Sequence, residues 1–100
     1  MADYVFSVEA DADIHDIWRY SAINFGAGQA DTYTDQLLRS VQTAARFPFT
    51  GRDYATRSGR SYKQYNCGRH AIFYRPAETG IFVVRVLHLM MDFDRHLDGL

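Results

Sequence analysis

Disulfide chemistry is the first thing missing from this chain. It has one cysteine, Cys67, which excludes a disulfide within the chain and leaves a zinc site of the usual multi-cysteine type without ligands. That usage fits a reducing cytosol. Long apolar runs are missing too: no stretch approaches the roughly 18 consecutive apolar residues of a membrane span, and the opening Met-Ala-Asp-Tyr has neither a basic leader nor an apolar signal core. A soluble, cytoplasmic protein without a membrane partner is expected. Repeats, low-complexity tracts and linkers are absent as well, so the 100 residues are expected to form one domain, 1–100. His15, His70, His88 and His96 show no zinc-type spacing, and neither metal nor cofactor is expected.

What the chain does have is aromatic and basic character in particular places. A domain this small buries roughly 60 to 70% of its unfolded surface, and a hydrophobic content of 47% suffices for that. Seven Tyr and seven Phe exceed what a two-layer core plainly needs, so some should face a partner. The net charge of −1 conceals three blocks. Residues 1–45 carry seven acids against Arg19 and Arg39, which is 2 − 7 = −5. Residues 46–85 carry eight bases against Asp53 and Glu78, which is 8 − 2 = +6, and the tail returns to −2. The middle block reads either as solvated strands and turns or as a basic surface for an acidic partner or RNA.

Periodicity divides the chain into a helical half and a sheet half. Tyr4, Phe6 and Val8 alternate with Val5, Ser7 and Glu9, which predicts a short first strand. Ile14, Ile17, Trp18, Ser21, Ala22 and Phe25 then recur at helical spacing, with Asp11 or Asp13 as the N-cap and Gly26 and Gly28 as the stop. Trp18 shares that stripe and reads as core. Ala30, Tyr33, Leu37, Val41, Ala44 and Ala45 mark a second helix that ends at Phe47-Pro48. The short break between the two predicts an antiparallel helical hairpin. Three strands follow, Ser61 to Cys67, Arg69 to Arg75 and Ile81 to His88, the last two joined by a loop over Pro76 to Gly80. Asp92 caps a final helical turn holding Phe93 and Leu97. The expected class is α+β in the order β-α-α-β-β-β. An antiparallel helical hairpin packs on one face of a small, mostly antiparallel sheet, and a short helical turn closes the chain.

Strand parity predicts a surface. With strict alternation, Phe82, Val84 and Val86 share one face of the last strand, and Ile81, Val83, Arg85 and Leu87 share the other. Arg69, Ala71, Phe73 and Arg75 share a face of the preceding strand. If both arginine-bearing faces point away from the helices, Arg69, Phe73, Arg75 and Arg85 gather on one open side of the sheet.

Four segments in this order resemble the ParE branch of the RelE/ParE toxin superfamily. Ala12-Asp13-Ile14-His15-Asp16-Ile17-Trp18-Arg19-Tyr20 is similar to the family's first helix, and Phe47-Pro48-Phe49-Thr50-Gly51-Arg52 resembles its x-P-x-x-G-R turn. His70-Ala71-Ile72-Phe73-Tyr74-Arg75 looks like its H-x-I-F-Y-R strand, and Arg85-Val86-Leu87-His88-Leu89-Met90-Met91-Asp92 looks like its R-V-L-H-x-x-M-D ending. None is specific alone; together they span nearly the whole chain.

The resemblance implies the toxin of a type II toxin–antitoxin system, in hetero-oligomeric complex with a ParD-like antitoxin, with DNA gyrase as its target. It implies inhibition by protein–protein binding and no enzymatic activity. DNA contact would be indirect, through the antitoxin, which would lay a partly helical segment along the toxin's helices and sheet edge. The candidate partner-binding residues are Arg60, Tyr62, Tyr65, Arg69, Phe73, Arg75, Arg85, Met90, Met91, Phe93 and Arg95. The competing reading is a RelE-like ribosome-dependent endoribonuclease, in which Arg69, Arg75 and Arg85 would stabilise the phosphorane and His88 or His70 would move protons. Against it, Leu-Met-Met-Asp-Phe follows His88, where many such nucleases carry a catalytic Tyr.

Overall fold

Ser7 decides where the first helix begins. In the computed structural model, which describes residues 3–98, β1 (Asp3–Phe6) stops after four residues and α1 runs over Val8–Phe25. The Ser7 hydroxyl accepts the Ala10 N–H at 2.9 Å and donates to the Val84 carbonyl at 2.6 Å. It is therefore the N-cap in place of Asp11 or Asp13, and Val8 and Glu9 belong to the helix instead of the strand. The local alternation over Tyr4 to Glu9 is overridden because one hydroxyl satisfies both a helix amide and a strand carbonyl. Ser7→Ala removes both bonds and is expected to cost about 1–2 kcal/mol in chemical denaturation. A loss below a few tenths would show that the cap is dispensable.

The hairpin closes through a single residue. Gly26 ends α1 at φ +95°, donating its N–H to the Ala22 carbonyl, and its own carbonyl accepts from Ala30 in α2 (Ala27–Arg46). Only glycine adopts that backbone without strain. Gly28 thus lies inside the second helix. The predicted α2 stripe is the buried one: Ala30, Leu37, Val41 and Ala44 have no exposed surface. Trp18 differs from expectation, since its Nε1–H donates to Asp31 on the solvent side and ties α1 to α2 from outside.

The sheet has one strand more than the periodicity shows. β2 (Arg52–Ala55), β3 (Ser61–Cys67), β4 (His70–Ala77) and β5 (Gly80–His88) join β1 in the order β1-β5-β4-β3-β2. Every pairing is antiparallel except that of β1 with β5, which is parallel. Where β1 meets β5, a Cβ on Gly80 would lie 1.7 Å from the Asp3 carbonyl oxygen, so the parallel ladder requires glycine there. The β4–β5 turn is tighter than the predicted loop, because Pro76 and Ala77 pair with Ile81 and Gly80.

Two apolar layers result. α1 and α2 cover one face, where Leu37, Val41, Ile72, Tyr74, Ile81, Val83 and Val86 pack together. On the opposite face α3 (Phe93–Asp98) lays Phe93 and the fully buried Leu97 against Tyr54, Tyr62, Phe73 and Leu87. Carboxylates fasten α3 in place. Asp94 accepts the Tyr54 hydroxyl and the Arg57 N–H, and Asp98 accepts the Ser58 hydroxyl. Burial and the Asp94 carboxylate push the Tyr54 phenol up to about 12. Among the described residues, no helix is long and apolar enough to cross a membrane.

Candidate protein-binding cleft

An irregularity in β5 builds the site. Phe73 pairs with Arg85, yet Tyr74 pairs with Val83, so β5 holds one residue more than β4 over this stretch. Alternation therefore slips by one. Ile81, Val83 and Val86 lie on the helix side, whereas Val84 and Leu87 lie on the α3 side. Strict parity had paired Val86 with Val84 and Leu87 with Arg85. The same slip turns Arg85 toward α1.

Arg85 meets Asp13 there. Its Nε and Nη2 donate to the two carboxylate oxygens at 2.7 and 2.8 Å, and the Val86 N–H adds a third bond at 3.0 Å. β1 has already ended, so this stretch of β5 has no strand on that side. Ser7 and Asp13 stand in for it, one taking up the Val84 carbonyl and the other the Val86 amide.

Beyond that ion pair, α1, the start of α2 and the ends of β4 and β5 enclose a cleft of about 810 Å³. One wall is helical, with Asp13, Asp16, Ile17, Tyr20, Ser21 and Phe25 from α1 and Gln29 and Tyr33 from α2. The other comprises Gly68, Arg69, His70, Val86, His88 and Met91. Tyr20 and Phe25 are 65% and 60% exposed, and neighbouring Met90 is 87% exposed.

The floor is a neutral hydrogen-bonded cluster. The Tyr33 hydroxyl lies 2.6 Å from His70 Nδ1 and receives the Arg69 N–H at 3.2 Å. Gly68 keeps this approach open, since a Cβ there would meet the Tyr33 hydroxyl at 2.9 Å. Burial, and secondarily His88, lowers the His70 pKa to about 4, with Asp13 opposing. His70 is thus neutral, and the Tyr33 hydroxyl stands between its Nδ1 and the Cys67 carbonyl, 3.3 Å away. His88 Nδ1 accepts the Met90 N–H at 3.1 Å, so its proton sits on Nε2. The two rings meet edge to face at 5.2 Å. No third metal-ligating side chain joins them among the described residues.

The sign of the pH effect follows directly. An unfolded histidine titrates near 6.5, whereas folded His70 titrates near 4. Its contribution is fully present above about pH 6.5 and is lost as pH falls toward 4, because the unfolded chain then binds the proton. The loss is on the order of 2 kcal/mol. His70→Asn keeps a hydrogen-bonding partner for Tyr33 and is expected to flatten the decline in melting temperature between pH 7 and pH 4.5. An unchanged slope would assign the acid sensitivity to other groups.

The residues expected from the sequence do not form one surface. Arg69 and Met91 line the cleft, and Met90 stands beside it. Arg69 belongs to the β3–β4 turn rather than to the strand. Phe73 has no exposed surface, Tyr62 is buried under the Arg75 guanidinium at 4.7 Å, and Phe93 packs on Phe73 at 4.9 Å. Arg75 lies on the face opposite Arg85, and Tyr65 packs against the helix-side core. Arg60 reaches the Leu97 carbonyl at 3.4 Å, and Arg95 is exposed on α3. The predicted gathering of Arg69, Phe73, Arg75 and Arg85 on an open face is therefore corrected by the β5 bulge and by α3, which covers Phe73.

Asp13 is expected from the sequence as an N-cap, and Asp13, Asp16 and Tyr20 stand in the first-helix motif without being assigned to the site. They stand at i, i+3 and i+7 on α1, a second helical stripe beside the apolar one, and that spacing was the available signal.

A helical hairpin on a five-stranded sheet, with an open cleft between α1 and the ends of β4 and β5, defines a small α+β module. Residues 4–93 match the family model described as the ParE toxin of type II toxin–antitoxin system, parDE. Toxin ParE1 of Mycobacterium tuberculosis is 38% identical over 96 residues, which covers 94% of this chain and 96% of that one. Toxin ParE1 of Caulobacter vibrioides is 36% identical over 98 residues, covering 97% and 99%. A solved chain described as the chromosomal ParDE TA system from P. aeruginosa superposes with a TM-score of 0.69 at 15% identity, over 88% of this chain and 96% of that chain, and thus shares the fold. The chain belongs to the ParE toxin family of type II toxin–antitoxin systems.

Proposed function

We propose that this toxin inhibits DNA gyrase by binding it, and that a ParD-like antitoxin neutralises it in a hetero-oligomeric complex by laying a segment in the α1–β5 cleft. The compartment is the cytosol, and contact with promoter DNA runs through the antitoxin. The observation that carries the binding reading is the cleft itself, whose rim exposes Tyr20, Phe25 and Met91 around a floor with satisfied hydrogen bonds. Apolar and aromatic groups around an open groove suit an amphipathic segment. Of the residues expected at the interface, Arg69, Met90 and Met91 are proposed as antitoxin contacts, together with Asp16, Tyr20 and Phe25 from α1.

The ribonuclease reading requires a free guanidinium beside a proton-transfer pair. Of the three candidate arginines, Arg69 alone shares the cleft with His70 and His88, whereas Arg85 is held by Asp13, Arg75 lies on the other face over Tyr62, and His88 Nδ1 is taken by the Met90 amide. That dispersal favours binding over catalysis.

Expression of the toxin in bacteria, with and without its antitoxin, tests the proposal. Filamentation, induction of the DNA-damage response and protection by a resistant gyrase are expected. Messenger fragments cut inside translated codons, with gyrase unaffected, would contradict it.

A further inference from the structure

The corner where α2 meets β2 holds two phenylalanine rings in solvent, and the turn that carries them cannot fold them inward. Phe47 and Phe49 are 55% and 75% exposed. Between and after them the backbone is pinned from the core: the fully buried Tyr74 donates its hydroxyl to the Pro48 carbonyl at 3.0 Å and accepts the Gly51 N–H at 3.2 Å. Thr50 closes the turn by donating its N–H and its hydroxyl to the Phe47 carbonyl at 3.1 and 2.8 Å. A Cβ on Gly51 would lie 2.5 Å from the Tyr74 hydroxyl, so the turn has no slack.

Cations accompany both rings. The Arg46 guanidinium is 5.7 Å from the Phe47 ring centre, and the Lys63 ammonium is 5.9 Å from that of Phe49. Arg52 follows on β2, paired with Gln64 through its backbone, and its exposed side chain has no hydrogen bond or ion pair among the described residues. The acid beside them, Asp53, is bound to Lys63 at 2.6 Å. These four side chains carry 3 − 1 = +2. Next to them lies a shallow depression of about 350 Å³ that includes Arg52, Gln64 and Asn66, whose side-chain amides bond to each other at 2.8 Å.

Rigidly presented ring faces, flanking cations and an amide-lined hollow suit a strand whose bases are unpaired and whose backbone is anionic. A duplex hides its base faces. A protein hot spot buries its aromatics in a well-packed, desolvated pocket, whereas these rings stand on an open turn with a cation beside each. We infer that the α2–β2 corner binds single-stranded nucleic acid, with Phe47 and Phe49 stacking on bases and Arg46 and Arg52 meeting phosphates. The surface is separate from the cleft: Tyr33 and Arg46 are thirteen residues apart on α2, roughly 20 Å along its axis. The inference does not depend on gyrase as target or on the antitoxin's seat, and its failure leaves both standing.

The test is fluorescence anisotropy of a labelled mixed-sequence DNA strand of about 15 nucleotides titrated with the purified full chain at low salt, with the matching duplex as comparison. Saturable binding that prefers the single strand and weakens with salt is expected. Phe47→Ala with Phe49→Ala should weaken it about tenfold or more, and Arg46→Ala with Arg52→Ala should flatten its salt dependence. All four side chains are exposed, so circular dichroism and melting should be preserved, which separates lost binding from lost folding. Absence of saturable binding, equal or tighter binding of the duplex, or an unchanged affinity in the double phenylalanine variant overturns the inference. So does an outcome in which that variant loses affinity for a protein partner while its oligonucleotide binding is intact, since the corner would then be a protein interface.

Discussion

Replacing Asp13 with alanine lowers the folding free energy by about 3–5 kcal/mol. The carboxylate takes three hydrogen bonds, two from Arg85 and one from the Val86 amide, and both charged side chains are largely shielded, at 13% and 16% exposure. Without it a guanidinium and a strand amide are left without partners in a poorly solvated place, which is the costly outcome. In a domain of this length each kcal/mol moves the melting temperature by roughly 4–8 °C, so a fall of about 15 °C or more is expected. Asp13→Ala combined with Arg85→Met should recover a large part of the loss, because it removes the orphaned charge as well. A single variant within about 1 kcal/mol of the parent would show that water already reaches the pair.

Phe73→Ala is expected to cost a similar amount, about 3–5 kcal/mol, for a different reason. Its ring has no exposed surface and meets Tyr54, Tyr62 and Phe93 at 5.4, 6.5 and 4.9 Å. Truncation opens a cavity at the centre of the layer that anchors α3. A helix of six residues does not persist alone, so amide exchange over residues 93–98 should accelerate well before global unfolding. Protection retained across α3 would mean that the Asp94 and Asp98 bonds hold it without the aromatic anchor.

Much of this architecture was legible from the residues, and the exceptions share a cause. The helices α1 and α2 announce themselves through an apolar stripe and β3 through alternation, while β4 and β5 read as near-continuous apolar runs because they are buried on both faces. β2 does not, since Arg-Asp-Tyr-Ala at a sheet edge has only Tyr54 half-buried. Ser7 was read as one residue of an alternating run, although its hydroxyl bonds to a strand carbonyl 77 residues away. The bulge in β5 is likewise tertiary. Nothing in Val83-Val84-Arg85-Val86 marks where alternation slips, so Arg85 was assigned to an open face when it faces Asp13. The cleft is only partly readable: Arg69 and Met91 stand among the candidate contacts, while Asp16 and Tyr20 enter only as members of the first-helix motif. Phe73 and Phe93 read as contacts in the sequence because nothing local shows that α3 folds back over the sheet.

On the proposed function, this toxin acts by binding and leaves bond-breaking to its target. Purified toxin should be added to purified gyrase with ATP and relaxed plasmid, and separately to translating ribosomes with messenger. Loss of supercoiling with accumulation of linear plasmid, reversed by a ParD-like antitoxin and accompanied by intact messenger, is the predicted result. Cleaved messenger with supercoiling undiminished would contradict the account.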